Sequence, residues 1–147
     1  MGKTYSFEVN RTSSASPASL FALEADGSRW SEWAKPVVFH SRWAREPDAD
    51  GVGAVRAVGL WPVYLHEETL EYEQDRKHVY GFAGLALLKD YRAEVSFTPN
   101  VSGGTDLRWT GRFTEPLPGT GAAVRTALRT VISILATRLV KHAERAS

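Results

Sequence analysis

Residues 91–113 read YRAEVSFTPNVSGGTDLRWTGRF, and the fold turns on how they pair. Pro99 to Gly104 carry turn chemistry between two runs in which apolar and polar residues alternate. Setting Val95 opposite Trp109 also sets Phe97 opposite Leu107 and Tyr91 opposite Phe113. The same register puts Glu94 against Thr110 and Arg92 against Arg112. A strand has period two, so the first set shares one face and the second set the other. One face is aromatic and aliphatic, the other charged, which describes an antiparallel hairpin buried on one side only.

Beyond this hairpin, Pro116 and the Pro118-Gly119 pair break the chain, and the spacing predicts a single long helix over about residues 120–145. Val124, Leu128, Val131, Leu135 and Leu139 recur at steps of three and four, while Arg125, Arg129 and Glu144 fall away from that stripe. Upstream, KTYSFEVNR, VVFHSRW, GVGAVRAVGL, VYLHEETLEYE and HVYGFAG read as further strands. Between the first two of these, SSASPASLFALEADGSRWSEW predicts two short helices. Ser16 is a suitable N-cap with Pro17 at the first helical position, and Asp26-Gly27 interrupts. Trp30 and Trp33 then stand one turn apart before Pro36. The plan is one α+β domain over residues 1–147. An antiparallel sheet of six to seven strands is packed by a long C-terminal helix, with two short helices after the first strand.

A chain of 147 residues can bury a core without metal or disulfide staples. Net charge of +1 argues against a nucleic-acid surface. There is no cysteine, which removes thiol catalysis and thiolate metal sites. His40, His66, His78 and His142 share no metal-ligand spacing, and no serine nucleophile motif occurs, so neither a metal nor another cofactor is expected. The start, MGKTYSFEVN, lacks an apolar signal core and passes at once into strand alternation; a cytoplasmic protein is expected. Arg125, Arg129 and Arg138 break the longest apolar run, so no membrane span is expected. Arginine outnumbers lysine and alanine is abundant, which suits a high-GC bacterial genome.

The strings SPASLFALEADGSRWSEW, GVGAVR, HEETLEYE, and YRAEVSFTP with GGTDLRWTGRF come in an order that resembles the START-like helix-grip superfamily. Within it, the chain looks most like the bacterial polyketide cyclase/dehydrase-like branch, and the resemblance covers nearly all of it. The resemblance implies a curved sheet wrapped around the C-terminal helix, with a pocket between them for a hydrophobic small molecule such as a lipid, polyketide or aromatic metabolite. The two short helices would close one end of it. Trp30 and Trp33 then either form an end wall or simply plug the core.

On this reading the inward aromatic set is Trp30, Trp33, Phe39, Tyr80, Phe82, Tyr91, Trp109 and Phe113. Val95 from the sheet, with Leu128 and Val131 from the helix, would add apolar lining. Arg56 and Glu67 fall opposite each other if their strands form a hairpin around Trp61-Pro62, and the resemblance points to the same two positions. They are the expected polar anchor. Pro62 fits a two-residue turn poorly, and a slip of one residue would send Glu68 inward instead. An alternative is a cyclase- or dehydratase-type enzyme with Glu67 as general base and Tyr80, Tyr91 or His40 as proton donor. Another is a protein- or membrane-interaction module built on the apolar loop GLALLK, residues 84–89. Its leucines, Leu85, Leu87 and Leu88, would otherwise form a lid over the pocket. A monomer or a homodimer is expected.

Overall fold

In the computed structural model, the described residues are 2–49, 51–60, 63–83, 88 and 90–146. Seven strands form one antiparallel sheet: β1 (Thr4–Ser13), β2 (His40–Arg45), β3 (Val55–Leu60), β4 (Val63–Glu73), β5 (Lys77–Phe82), β6 (Arg92–Pro99) and β7 (Thr105–Thr114). Their order is β1-β7-β6-β5-β4-β3-β2, so each consecutive pair from β2 onward is a hairpin and the first strand closes against the last. The helices are α1 (Pro17–Ala25), α2 (Trp30–Trp33) and α3 (Gly121–Ala146), with a 3-10 turn at Gly27–Arg29. This is the curved sheet and long C-terminal helix expected from the sequence.

The β6–β7 register is the one set by hydrophobic alternation, with Val95 opposite Trp109 and Phe97 opposite Leu107. Leu107, Trp109 and Phe113 are buried while Asp106, Arg108 and Arg112 are exposed. The outer face carries Glu8–Arg108 at 3.0 Å and Lys77–Glu71 at 3.1 Å. Such exposed pairs are worth little individually and mainly keep that face solvated. Arg56 lies opposite Glu67 and Leu60 opposite Val63, which resolves the register in favour of an inward Glu67. Trp61 and Pro62, which join these strands, lie outside the described residues.

The predicted stripe of α3 runs its full length, but only the second half is covered. Ile132, Leu135, Ala136, Leu139, Val140 and Ala143 are buried, whereas Val124 and Leu128 are half-buried. Arg11 of β1 holds the covered half by donating to the Thr137 hydroxyl at 3.2 Å and to the Ser133 carbonyl at 3.3 Å. At the start of α3, Glu115 accepts from the backbone N–H groups of Gly119 and Gly121, at 3.2 and 3.1 Å, satisfying donors that have no partner within the helix. Among the described residues, no helix is long and apolar enough to cross a membrane.

The β6–β7 hairpin tip packs on the end of β1 so tightly that a side chain at Gly104 has no room. A Cβ there would lie 2.0 Å from the Ser13 carbonyl oxygen, a backbone atom that cannot rotate away. Gly104→Ala is therefore expected to cost about 1–3 kcal/mol, the usual penalty for overpacking, read as a lower urea midpoint. An unchanged midpoint would mean that the hairpin and β1 do not meet this closely.

Candidate functional site

The site begins at the end of α1. Ser16 caps the first turn by accepting from the Ser19 N–H at 3.1 Å, but the other end has no glycine cap. Its last carbonyls are satisfied by side chains instead. Trp33 Nε1 donates to the Leu23 carbonyl at 3.2 Å, and Trp30 Nε1 to the Glu24 carbonyl at 2.8 Å. The two rings lie 4.7 Å apart, and Trp30 meets Trp109 edge-on at 6.1 Å. The tryptophan pair is thus the C-terminal cap of the preceding helix as well as part of the core.

Arg56, projecting from β3, binds the same helix end. Its Nη1 donates to the Glu24 carbonyl at 2.6 Å and to Glu24 Oε2 at 3.3 Å, its Nη2 to Glu24 Oε2 at 3.4 Å, and its Nε to Glu67 Oε1 at 2.8 Å. The guanidinium carbon lies 4.1 Å from the Trp30 ring centre and 4.6 Å from that of Tyr80. Gly27 lets the chain pass over it, since a Cβ there would come 2.3 Å from Arg56 Cβ. Arg56 is 2% exposed, Glu24 0% and Glu67 8%.

Glu24 Oε2 also meets His78 Nδ1 at 2.8 Å, and His78 Nε2 lies 2.9 Å from the Thr69 hydroxyl. A carboxylate only accepts, so Nδ1 carries a hydrogen; with a neutral ring, Thr69 then donates to Nε2. Glu24 Oε1 has no hydrogen-bond partner. Burial alone would raise the Glu24 carboxyl, but His78 and then Arg56 hold it below the ordinary glutamate range. Burial pushes the Tyr80 and Tyr91 hydroxyls above the usual tyrosine range, so both keep their protons at neutral pH. Tyr80 accepts from Trp109 Nε1 at 3.2 Å.

Of the residues expected to line a pocket, Trp30, Trp33, Tyr80, Tyr91, Val95, Trp109 and Phe113 are buried within one cluster. Phe82 and Leu128 pack against that cluster but stay half-buried, Phe82 stacked on Tyr91 at 4.7 Å. One expectation needs correction. Phe39 is 40% exposed: β2 starts at His40, and Phe39 turns out beside Lys35, whose ammonium lies 5.9 Å from the ring. Val131 is 38% exposed, on the uncovered half of the α3 stripe. Leu65, which alternates onto the same face of β4 as Glu67 and Thr69, is 52% exposed although its partner Val58 is buried. Leu88 is buried in the core cluster, while Leu85 and Leu87 lie outside the described residues.

Sequence reasoning missed Glu24, His78 and Thr69. A signal was available in PASLFALEA, where Glu24 is the lone acid among apolar neighbours. A separate cleft of about 400 Å³ lies between α1, residues 47–49 and β4; Phe21, Trp43, Thr69 and Tyr72 are among its walls. The chain Glu24–His78–Thr69 therefore runs from the interior to that cleft. Among the described residues, no cluster of three or more His, Cys, Asp or Glu could hold a metal ion.

Residues 4–144 match the model of a family described as polyketide cyclase / dehydrase and lipid transport. The chain belongs to this family. Its fold supports ligand binding in general. Among solved structures, the chain is similar to XoxI from Bacillus cereus, at 15% identity over 93% of this chain and 94% of that one, with a TM-score of 0.74. A Staphylococcus aureus protein of unknown function is 10% identical over 99% and 96%, with a TM-score of 0.77. Ara h 8.0201 is 17% identical over 96% and 98%, with a TM-score of 0.69. At these identities the likeness concerns the fold, which is the START-like helix grip. No curated protein matches the sequence.

Two outcomes follow from the buried ions. Arg56→Met strands two carboxylates in the interior and is expected to cost on the order of 3–5 kcal/mol, measured by chemical denaturation. Glu24, held low in the folded state, contributes stability that is complete above the unfolded glutamate pKa of about 4.3 and fades as pH falls through its folded value. Glu24→Gln should therefore give a shallower loss of stability with acidification than the wild-type chain. A parallel acid limb would show that Glu24 is not ionised in the native state.

Proposed function

We propose that the protein binds a hydrophobic small molecule, a lipid, polyketide or aromatic metabolite, between the inner face of the sheet and the first half of α3. The observation that carries this reading is apolar surface left uncovered on both sides. Leu65 stands 52% exposed on the inner face, and Val131 38% exposed on the α3 stripe, with Leu128 only half-buried. A folded chain normally closes such a stripe against its sheet; a bound apolar molecule would cover it instead. The aromatic cluster of Trp30, Trp33, Tyr80, Tyr91, Trp109 and Phe113, with Val95, forms the inner limit of this space. Phe82 and Leu128 flank it, and Glu67 is its polar group. Arg56 serves by holding Glu67 in place rather than by reaching the ligand, because its own donors are directed at Glu24 and Glu67. The family description, with its lipid-transport component, supports the same reading.

A second reading is catalytic and rests on Glu67. Arg56 engages Oε1 and leaves the other carboxylate oxygen without a hydrogen bond among the described residues, as a general base requires. The buried, protonated Tyr80 and Tyr91 would serve as acids beside it in a cyclase- or dehydratase-type reaction. We place the protein in the cytoplasm as a monomer or homodimer without a cofactor.

Native mass spectrometry of the protein purified from its host tests the binding reading. A hydrophobic adduct is expected on the wild-type chain and is expected to be lost in Leu128→Trp, which fills the space from the helix side, with the far-ultraviolet circular dichroism unchanged. Repeated preparations without an adduct, together with a hydrophobic ligand screen that finds no binder, would overturn it. Turnover that disappears in Glu67→Gln while binding persists would establish the catalytic reading.

A further inference from the structure

The polar groups on the inner face are unequally matched. Nearly all the strong donors are committed to the protein itself. Arg56 directs Nε and both Nη atoms to Glu67 and Glu24, and its guanidinium lies over the Trp30 and Tyr80 rings. The indole N–H groups of Trp30 and Trp33 hold α1, and that of Trp109 is spent on the Tyr80 hydroxyl. His78 is fixed between Glu24 and Thr69. Beside the Tyr80 and Tyr91 hydroxyls, which keep their protons, and the unpartnered Arg138 Nε on α3, what remains is acceptor capacity. Glu24 Oε1 is fully buried with no partner, and Glu67 Oε2 makes no hydrogen bond among the described residues.

We propose that the ligand of this site carries a hydrogen-bond donor at its polar end, a hydroxyl or an ammonium group, and that the site discriminates against a carboxylate. The inference rests on the ligand-binding reading above and specifies its chemistry. A donor arriving at Glu67 satisfies a carboxylate oxygen in a low-dielectric setting, where such a bond is stronger than in water. An ammonium group also forms a charge-assisted bond with the Glu67 carboxylate. A carboxylate at the same place meets the like charge of Glu67, and Arg56 cannot turn to it, because releasing Arg56 would unbind the end of α1. Glu67 is the specificity-determining residue, since it is the member of the cluster with residual exposure, 8% against 0% for Glu24 and 2% for Arg56.

Three molecules with the same twelve-carbon tail isolate the headgroup: dodecylamine, dodecanol and laurate, each below its micellar concentration at neutral pH. Each competes against the fluorescent probe N-phenylnaphthylamine on the full chain. The amine and the alcohol are expected to bind about tenfold more tightly than laurate, the scale of one hydrogen bond to a charged group. Glu67→Gln, neutral and itself able to donate, should weaken the amine and strengthen laurate until the gap falls to about threefold or less. If the wild-type chain binds laurate as well as the other two, the inference is overturned and the binding reading stands. If neither the probe nor any of the three binds, the binding reading itself fails and takes the inference with it. The wild-type series decides the matter even if the variant does not fold.

Discussion

The fold depends on accommodating one buried cation. A guanidinium 2% exposed in a protein interior is tolerable only if nearly every donor is met and the charge is balanced. Arg56 meets that condition by drawing on four parts of the chain at once. Glu24 comes from the end of α1, Glu67 from β4, the Trp30 ring from α2 and the Tyr80 ring from β5. The position of the two short helices relative to the sheet follows from this contact. Its steric counterpart is Gly27, where any side chain would collide with Arg56 Cβ. The Glu24 carbonyl, which accepts from both Trp30 and Arg56, is the point where helix capping and charge burial become one interaction.

That arrangement divides the molecule into a closed end and an open one. At the closed end, the second half of α3 packs on the core, and Arg11 and Glu144 tie it to β1 and the residue after it. At the open end, the first half of α3 stands clear enough that Leu128 is half-buried and Val131 exposed. Stability gathered at one end allows apolar surface to remain uncovered at the other. The ion cluster lies on the inner face with Glu67 at its accessible margin, so a guest there would meet an apolar wall and one anionic edge.

Much of this was legible in advance because it follows from periodicity. The β6–β7 register needed only alternation and a turn, and the Arg56–Glu67 pairing needed only that Glu67, not Glu68, face inward. Other parts were not legible because they join residues distant along the chain. Glu24 and His78 are 54 positions apart, and nothing local to either announces the contact. His78 looked like one of four unconnected histidines, and Thr69 like an ordinary strand residue. Phe39 was misplaced for a related reason. Alternation and helical stripes say which side of an element a residue occupies, but not how far the opposing layer extends to cover it.

By itself, the sequence determined the element order, the antiparallel hairpins, the N-cap of α1 and the breaks of the helices, and the face of each residue in the β6–β7 hairpin. These are governed by steric preferences and by periods of two and 3.6 residues, which act over a few positions. Only the tertiary structure decided that two indoles and an arginine would finish α1, that a second carboxylate would join Arg56, and that half of α3 would remain uncovered. Each of those outcomes is a balance of desolvation against contacts between layers, and desolvation is settled only when the layers meet.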